Sequence, residues 1–147
     1  MLEYENKANR KKIISEIETA LSRTEIYDSG NPLHRTLVIH SFTYSKSDMA
    51  LCAAVGDNDC CIEVYERGQL IAQTVTENTD DVKYLIFEHV IKVLAEKKSL
   101  VKTGENTYIL DSGECKREAE TAFAQIGGVF CEWYASGRTF YNFLNWL

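Results

Sequence analysis

A chain of 147 residues with 45% hydrophobic content has enough material for one domain, residues 1–147, with a core of its own. No run of ~18 apolar residues occurs, which excludes a membrane-spanning helix, and the charged opening Met1-Leu-Glu-Tyr-Glu-Asn-Lys7 lacks the apolar segment of a signal peptide. The net charge of −6 is concentrated: Asp48 to Asp81 holds eight acids against Arg67 alone, a net of −7, and so disfavours nucleic-acid binding through that segment.

In chain order, Ile13, Ile14, Ile17 and Leu21 share one face of an amphipathic helix expected over 5–23. Asp28-Ser-Gly-Asn-Pro32 is rich in turn formers and predicts a loop. The β-branched and aromatic run Arg35 to Tyr44 predicts a strand, followed by a second over Met49 to Val55 and a turn at Gly56-Asp-Asn-Asp59. Cys61 to Glu66 and Leu70 to Thr76 flank Arg67-Gly68-Gln69, the pattern of a tight hairpin. Strands joined this closely must pair antiparallel, which predicts a four-stranded meander.

Thr79 to Lys98 is the strongest helix in the chain. Val82, Leu85, Ile86, His89, Val90, Val93 and Leu94 recur at three- and four-residue steps. Thr79 is the expected N-cap, Asp80 and Asp81 suit the positive end of the helix dipole, and Lys97 and Lys98 suit the negative end. Leu100 to Lys102 and Tyr108 to Leu110 then predict a small hairpin. A long helix is expected from Ser112 to Ser136, with Cys115, Ala119, Ala122, Phe123, Ile126, Phe130 and Trp133 inward and Gly137 at its end. Gly127-Gly128 inside it costs roughly 1 kcal/mol per glycine relative to alanine, so a kink or a close packing contact is expected there. The tail from Thr139 carries Phe140, Tyr141, Phe143, Leu144, Trp146 and Leu147, and is expected to dock on the sheet rather than stand in water. The predicted fold is therefore α+β: an N-terminal helix, a four-stranded antiparallel meander, two long helices and a packed aromatic tail.

No arrangement of residues announces catalysis. The five cysteines (Cys52, Cys60, Cys61, Cys115, Cys131) form neither a CxxC pair nor an even disulfide framework, which fits a reducing cytoplasm. Cys60 and Cys61 are neighbours on a strand and point to opposite faces, amid carboxylates that raise rather than lower a thiol pKa. The remaining three lie on apolar stripes and read as core. His34, His40 and His89 have no partner at metal-ligand spacing. Asp57-Asn-Asp59 opens like a calcium loop, but Ile62 and Gly68 stand where that loop needs its glycine and its glutamate. No cofactor or metal is expected, and the protein reads as no enzyme.

What remains is the acidic segment. Asp57, Asp59, Glu63, Glu66, Glu77, Asp80 and Asp81 are the candidate partner-binding residues, since one acidic surface would steer a basic protein toward it. Strand alternation places Glu63 and Glu66 on opposite faces, so one of that pair is expected to be silent.

Tyr84-Leu-Ile-Phe87 with Val90 on the central helix, followed by Arg117, Phe123 and Trp133 on the long one, resembles the pattern of bacterial polymorphic-toxin immunity proteins. The resemblance spans Thr79 to Gly137 and treats these residues as core. It implies a tight inhibitor that covers the active site of a cognate toxin domain, in these systems often a basic nuclease, with no catalytic residues of its own. The expected partner is that toxin domain, met by a monomer in the cytoplasm, with neither nucleic acid nor membrane involved. Two other readings compete: an acidic secretion chaperone that holds an extended client, and a small enzyme using His40 with a cysteine.

Overall fold

The computed structural model describes residues 5–43, 49–139, 142 and 144, with the backbone alone for 49 and 50. Tyr44, Asp48, Phe140, Tyr141, Phe143, Trp146 and Leu147 lie outside the described residues. Of the expected docking of the tail, only the burial of Leu144 among the core residues is described. The elements in chain order are α1 (Lys7–Leu21), α2 (Pro32–His40), β1 (Met49–Val55), β2 (Cys60–Glu66), β3 (Gln69–Thr76), α3 (Thr79–Lys98), β4 (Leu100–Lys102), β5 (Tyr108–Leu110), α4 (Ser112–Ile126) and α5 (Gly128–Ala135). They form an α+β fold with a three-stranded sheet in the order β1-β2-β3 and a separate two-stranded ribbon, β4-β5.

The expected four-stranded meander is thus three-stranded, because the segment read as its first strand is α2. Two local signals override the β-propensity of this segment. Asn31 accepts a hydrogen bond from the Leu33 N–H at 2.9 Å, and Pro32 occupies the first helical turn, where its fixed φ suits a helix. The chain leaving α2 still reaches the sheet, since the Ala53 N–H donates to Ser41 C=O at 2.8 Å. In the sheet, Cys52 stands opposite Glu63 and Ala54 opposite Cys61, while Glu63 also faces Gln73. Arg67 (φ 50°) and Gly68 (φ 81°) close the β2–β3 hairpin. Two consecutive positive φ angles match the twist of a two-residue turn.

Helix α3 keeps its expected bounds, but Asn78 caps it by accepting from the Asp80 N–H at 3.0 Å, with Thr79 already helical. Its buried surface is broader than one stripe. Tyr84, Phe87, Ile91 and Ala95 are buried beside Val82, Leu85, Ile86, Val90 and Leu94, whereas His89 is exposed. The reason is position: α1, α2 and β2 pack on α3 from one side and α4 from another. A helix covered from two sides reads as apolar nearly all round.

The long helix expected over 112–136 is two helices. Gly127 (φ 72°) ends α4, donating its N–H to Phe123 C=O at 2.9 Å, and Gly128 (φ 60°) begins α5. A Cβ at Gly128 would meet nothing within 4 Å, so the glycines are required by backbone conformation and not by close packing. Gly137 (φ 85°) closes α5 as expected. Its N–H reaches Tyr134 C=O and that of Arg138 reaches Trp133 C=O, both at 3.1 Å, the paired bonds of a Schellman cap.

Candidate partner-binding site

The candidate acids separate into four groups. In the β1–β2 turn, Asp57 is exposed and accepts from Asn6 Nδ2 at 2.7 Å, while Asn9 Nδ2 donates to Gly56 C=O at 3.1 Å. The pairing of Cys60 with Thr76, carried one residue further, sets Asp59 opposite Glu77. The N-terminus of α3 adjoins, bringing Asp80. Asp57, Asp59, Glu77 and Asp80 therefore share one end of the sheet, beside a cleft of about 270 Å³ lined by Asn9, Lys12, Glu16, Asp57, Asp59 and Thr79. The local field is moderated by Lys83, which pairs with Glu16 and lies 3.7 Å from Asp80.

Glu66 is exposed at the other end of β2, ~24 Å along the strand from Asp59 at about 3.4 Å per residue. Glu63 is inside, 2% exposed, with Tyr65 Oη donating to Oε2 at 3.1 Å and Gln73 Nε2 at 3.3 Å. Of the pair, Glu63 faces the interior and Glu66 the solvent. Asp81 is internal as well. Arg138 donates to Oδ1 and Thr76 Oγ1 to Oδ2, each at 2.6 Å, so both carboxylate oxygens are occupied within the protein.

Arg138 is a residue that sequence reasoning missed. Its guanidinium lies 4.0 Å from the Trp133 ring centre and 5.6 Å from that of Tyr84, and its carbonyl accepts from Tyr84 Oη at 2.7 Å. The ion pair and both rings bind the end of α5 to the start of α3. Burial pushes the Tyr84 phenol up, and Glu88 adds to the shift. The immunity-like residues Tyr84, Phe87, Val90 and Phe123 are buried, and Trp133 is half-buried against Tyr84. Arg117 differs from its expected core role: it is exposed and pairs with Glu114 at 2.8 Å. No local signal separates Arg117 from Arg138, whose partner Asp81 lies 57 residues earlier.

A second concavity, about 820 Å³, runs between α3, α4 and α5. Ile91, Leu110, Ala119 and Phe123 supply apolar walls, with Lys92, Lys116 and Glu120 among its polar groups. Cys115 and Cys131 line it half-buried, so these two read less as core than the sequence suggests. The other three cysteines are buried on β1 and β2. Desolvation pushes the Cys52 thiol up to about 11, with Glu63 adding to the shift, and raises Cys60 and Cys61 also. His40 lies exposed at the end of α2 and not in a strand, while His34 Nδ1 accepts from the Asp28 N–H at 2.9 Å. Among the described residues no group of three or more His, Cys, Asp or Glu is placed to hold a metal ion, and no helix is long and apolar enough to cross a membrane. No family model, curated protein or solved structure matches the chain.

Proposed function

We propose that this chain is an immunity protein that neutralises a basic toxin domain by binding it through the acidic end of the sheet. The observation that carries the reading is the grouping of Asp57, Asp59, Glu77 and Asp80, side chains from two turns and a helix start, on one solvent-facing edge. Such a cluster accelerates encounter with a basic surface and orients it, while the contacts beneath set how long the complex lasts. The resemblance over Thr79 to Gly137 points the same way. The raised Cys52, Cys60 and Cys61 thiols argue against an activated nucleophile.

Co-expression with the toxin domain encoded immediately upstream tests the proposal. Cells carrying both should survive, and equal killing with and without this protein would end it. Reversing Asp57 and Asp59 to lysine should slow association and flatten its salt dependence, with little change in thermal midpoint. A second reading, the acidic secretion chaperone, draws on the apolar groove and the exposed β4–β5 ribbon. Binding to an unfolded client segment, and none to a folded toxin domain, would favour it.

A further inference from the structure

Helices α1 and α2 meet along a groove whose charge is opposite in sign to that of the acidic end of the sheet. On α1, Arg10, Lys11, Ile14 and Glu18 recur at steps of three and four, which places them on one face. Arg35 and Ile39 stand one turn apart on α2, and Phe42 follows just beyond its end. Together they line a concavity of about 520 Å³. It is basic in a chain of net charge −6, with Arg10, Lys11 and Arg35 set against Glu18 alone. Its apolar part comes from half-buried Ile14, buried Phe42 and Ile39, which is 43% exposed.

The cations of this groove are not used up within the protein. Arg35 meets Glu18 through Nε alone, at 3.5 Å, the outer limit of a hydrogen bond. Its two terminal nitrogens bond nothing among the described residues. Lys11 is exposed and makes no ion pair among them either. A buried phenol close by is also left over. Tyr27 is 4% exposed, yet its Oη finds no hydrogen-bond partner among the described residues. The charges that act on it are the groove residues Glu18 and Arg35. Burial raises its pKa most, Glu18 raises it further and Arg35 opposes them, so the group stays an O–H donor. Buried donors without an acceptor are rare and costly.

We propose that the α1–α2 groove is a binding site for a small organic anion, an apolar body carrying a carboxylate or phosphate group. The anionic group takes the place of Glu18 on the Arg35 guanidinium and accepts from Tyr27 Oη, while the body lies on Ile14, Ile39 and Phe42. Arg10 and Lys11 raise the local concentration of the anion. Charge selects the sign of this ligand, since the planar fork of an arginine matches carboxylate and phosphate oxygens. Volume selects its size, because ~300–1,000 Å³ is the range of small-molecule sites. A nucleic acid would need a longer basic track and would meet the repulsion of the acidic chain. The groove shares no residue with the acidic cleft at the end of the sheet, so the inference is independent of the function proposed above.

Amide-resolved NMR titration of the full chain with phenylbutyrate and with phenyl phosphate tests the site. At least one of the two should shift the Ser15, Arg35, Ile39 and Thr43 amides, with Kd on the order of 0.1–1 mM, and the tighter one identifies the head group. Phenylbutylammonium, the same body with the opposite charge, should leave those amides unmoved, as should inorganic phosphate, the charge without the body. Arg35→Gln should weaken binding about tenfold and Lys11→Gln about twofold. Tyr27→Phe should weaken it about fivefold while the thermal midpoint holds or rises, since the change removes an unsatisfied donor and strands no partner. The proposal is overturned if neither anion moves the groove amides, or if the ammonium or inorganic phosphate binds as well as the anions do. An Arg35→Gln or Tyr27→Phe variant with the affinity of the wild type overturns it too.

Discussion

The sheet β1–β2–β3 and the ribbon β4–β5 are both antiparallel, both closed by tight connections and both written in apolar residues, yet they have opposite surroundings. In β2, Cys60, Cys61, Ile62, Glu63 and Val64 are buried, side chains of both faces included. In the ribbon every side chain from Leu100 to Leu110 is exposed. Hydrogen-bond pattern and composition do not distinguish the two. Position does: the sheet lies where α1 and α3 converge, and the ribbon projects from the end of the α3–α4 pair. A hairpin becomes part of the core or stays in water according to what the helices cover.

The largest expected difference tests that statement directly. Ile62→Ala should cost ~2–5 kcal/mol in chemical denaturation, as a cavity in a packed core, whereas Ile109→Ala should stay within ~0.5 kcal/mol. Equal costs would mean that the ribbon contributes to the folded monomer as much as the sheet does. A smaller contrast lies among the carboxylates. Glu63→Ala removes the carboxylate that accepts from Tyr65 and Gln73 in a buried site and should cost ~1–3 kcal/mol, while Glu66→Ala should be nearly silent in a melt. Asp81→Ala should cost ~2 kcal/mol, because the Arg138 side chain, 19% exposed, loses a charged hydrogen bond at 2.6 Å.

How far the sequence discloses this arrangement depends on the range of the signal. Helix α3, the β2–β3 turn at Arg67-Gly68, the ribbon and the stop at Gly137 were readable because period, turn chemistry and capping act within a few residues. The helix at α2 was also written locally, in Asn31-Pro32, but the β-branched run after it carried more weight than its two-residue start signal deserved. The acidic site was half legible. Alternation required Glu63 and Glu66 to part, but choosing the buried one needs Tyr65 and Gln73 in place. Asp81 counted as surface because its partner, Arg138, is brought to it only by the packing of α5.

The smallest expected effect separates the cysteines. With its pKa raised from 9.0 to about 11 in the fold, Cys52 stays protonated where an unfolded chain would ionise. Its stabilising contribution is therefore complete below pH ~9 and is lost as pH rises toward 11. A Cys52→Ala variant should show a shallower loss of stability over that window in parallel melts. At pH 8 an alkylating reagent should modify half-buried Cys115 and Cys131 well before Cys52, Cys60 or Cys61. Equal labelling of all five would show that the sheet opens as readily as the α4–α5 surface.

The bond between Arg138 and Asp81 also dictates an order of events during synthesis. A ribosome completes α3 long before it reaches Phe123, Trp133 and Arg138, which close over Tyr84, and Phe130, which closes over Phe87. Until those residues emerge, the nascent chain carries a helix with its aromatic side bare, a state that favours aggregation or capture by a holding factor. The molecule thus depends on its last described helix for the protection of its central one, and a stalled or truncated chain would leave that aromatic surface open for as long as it persists.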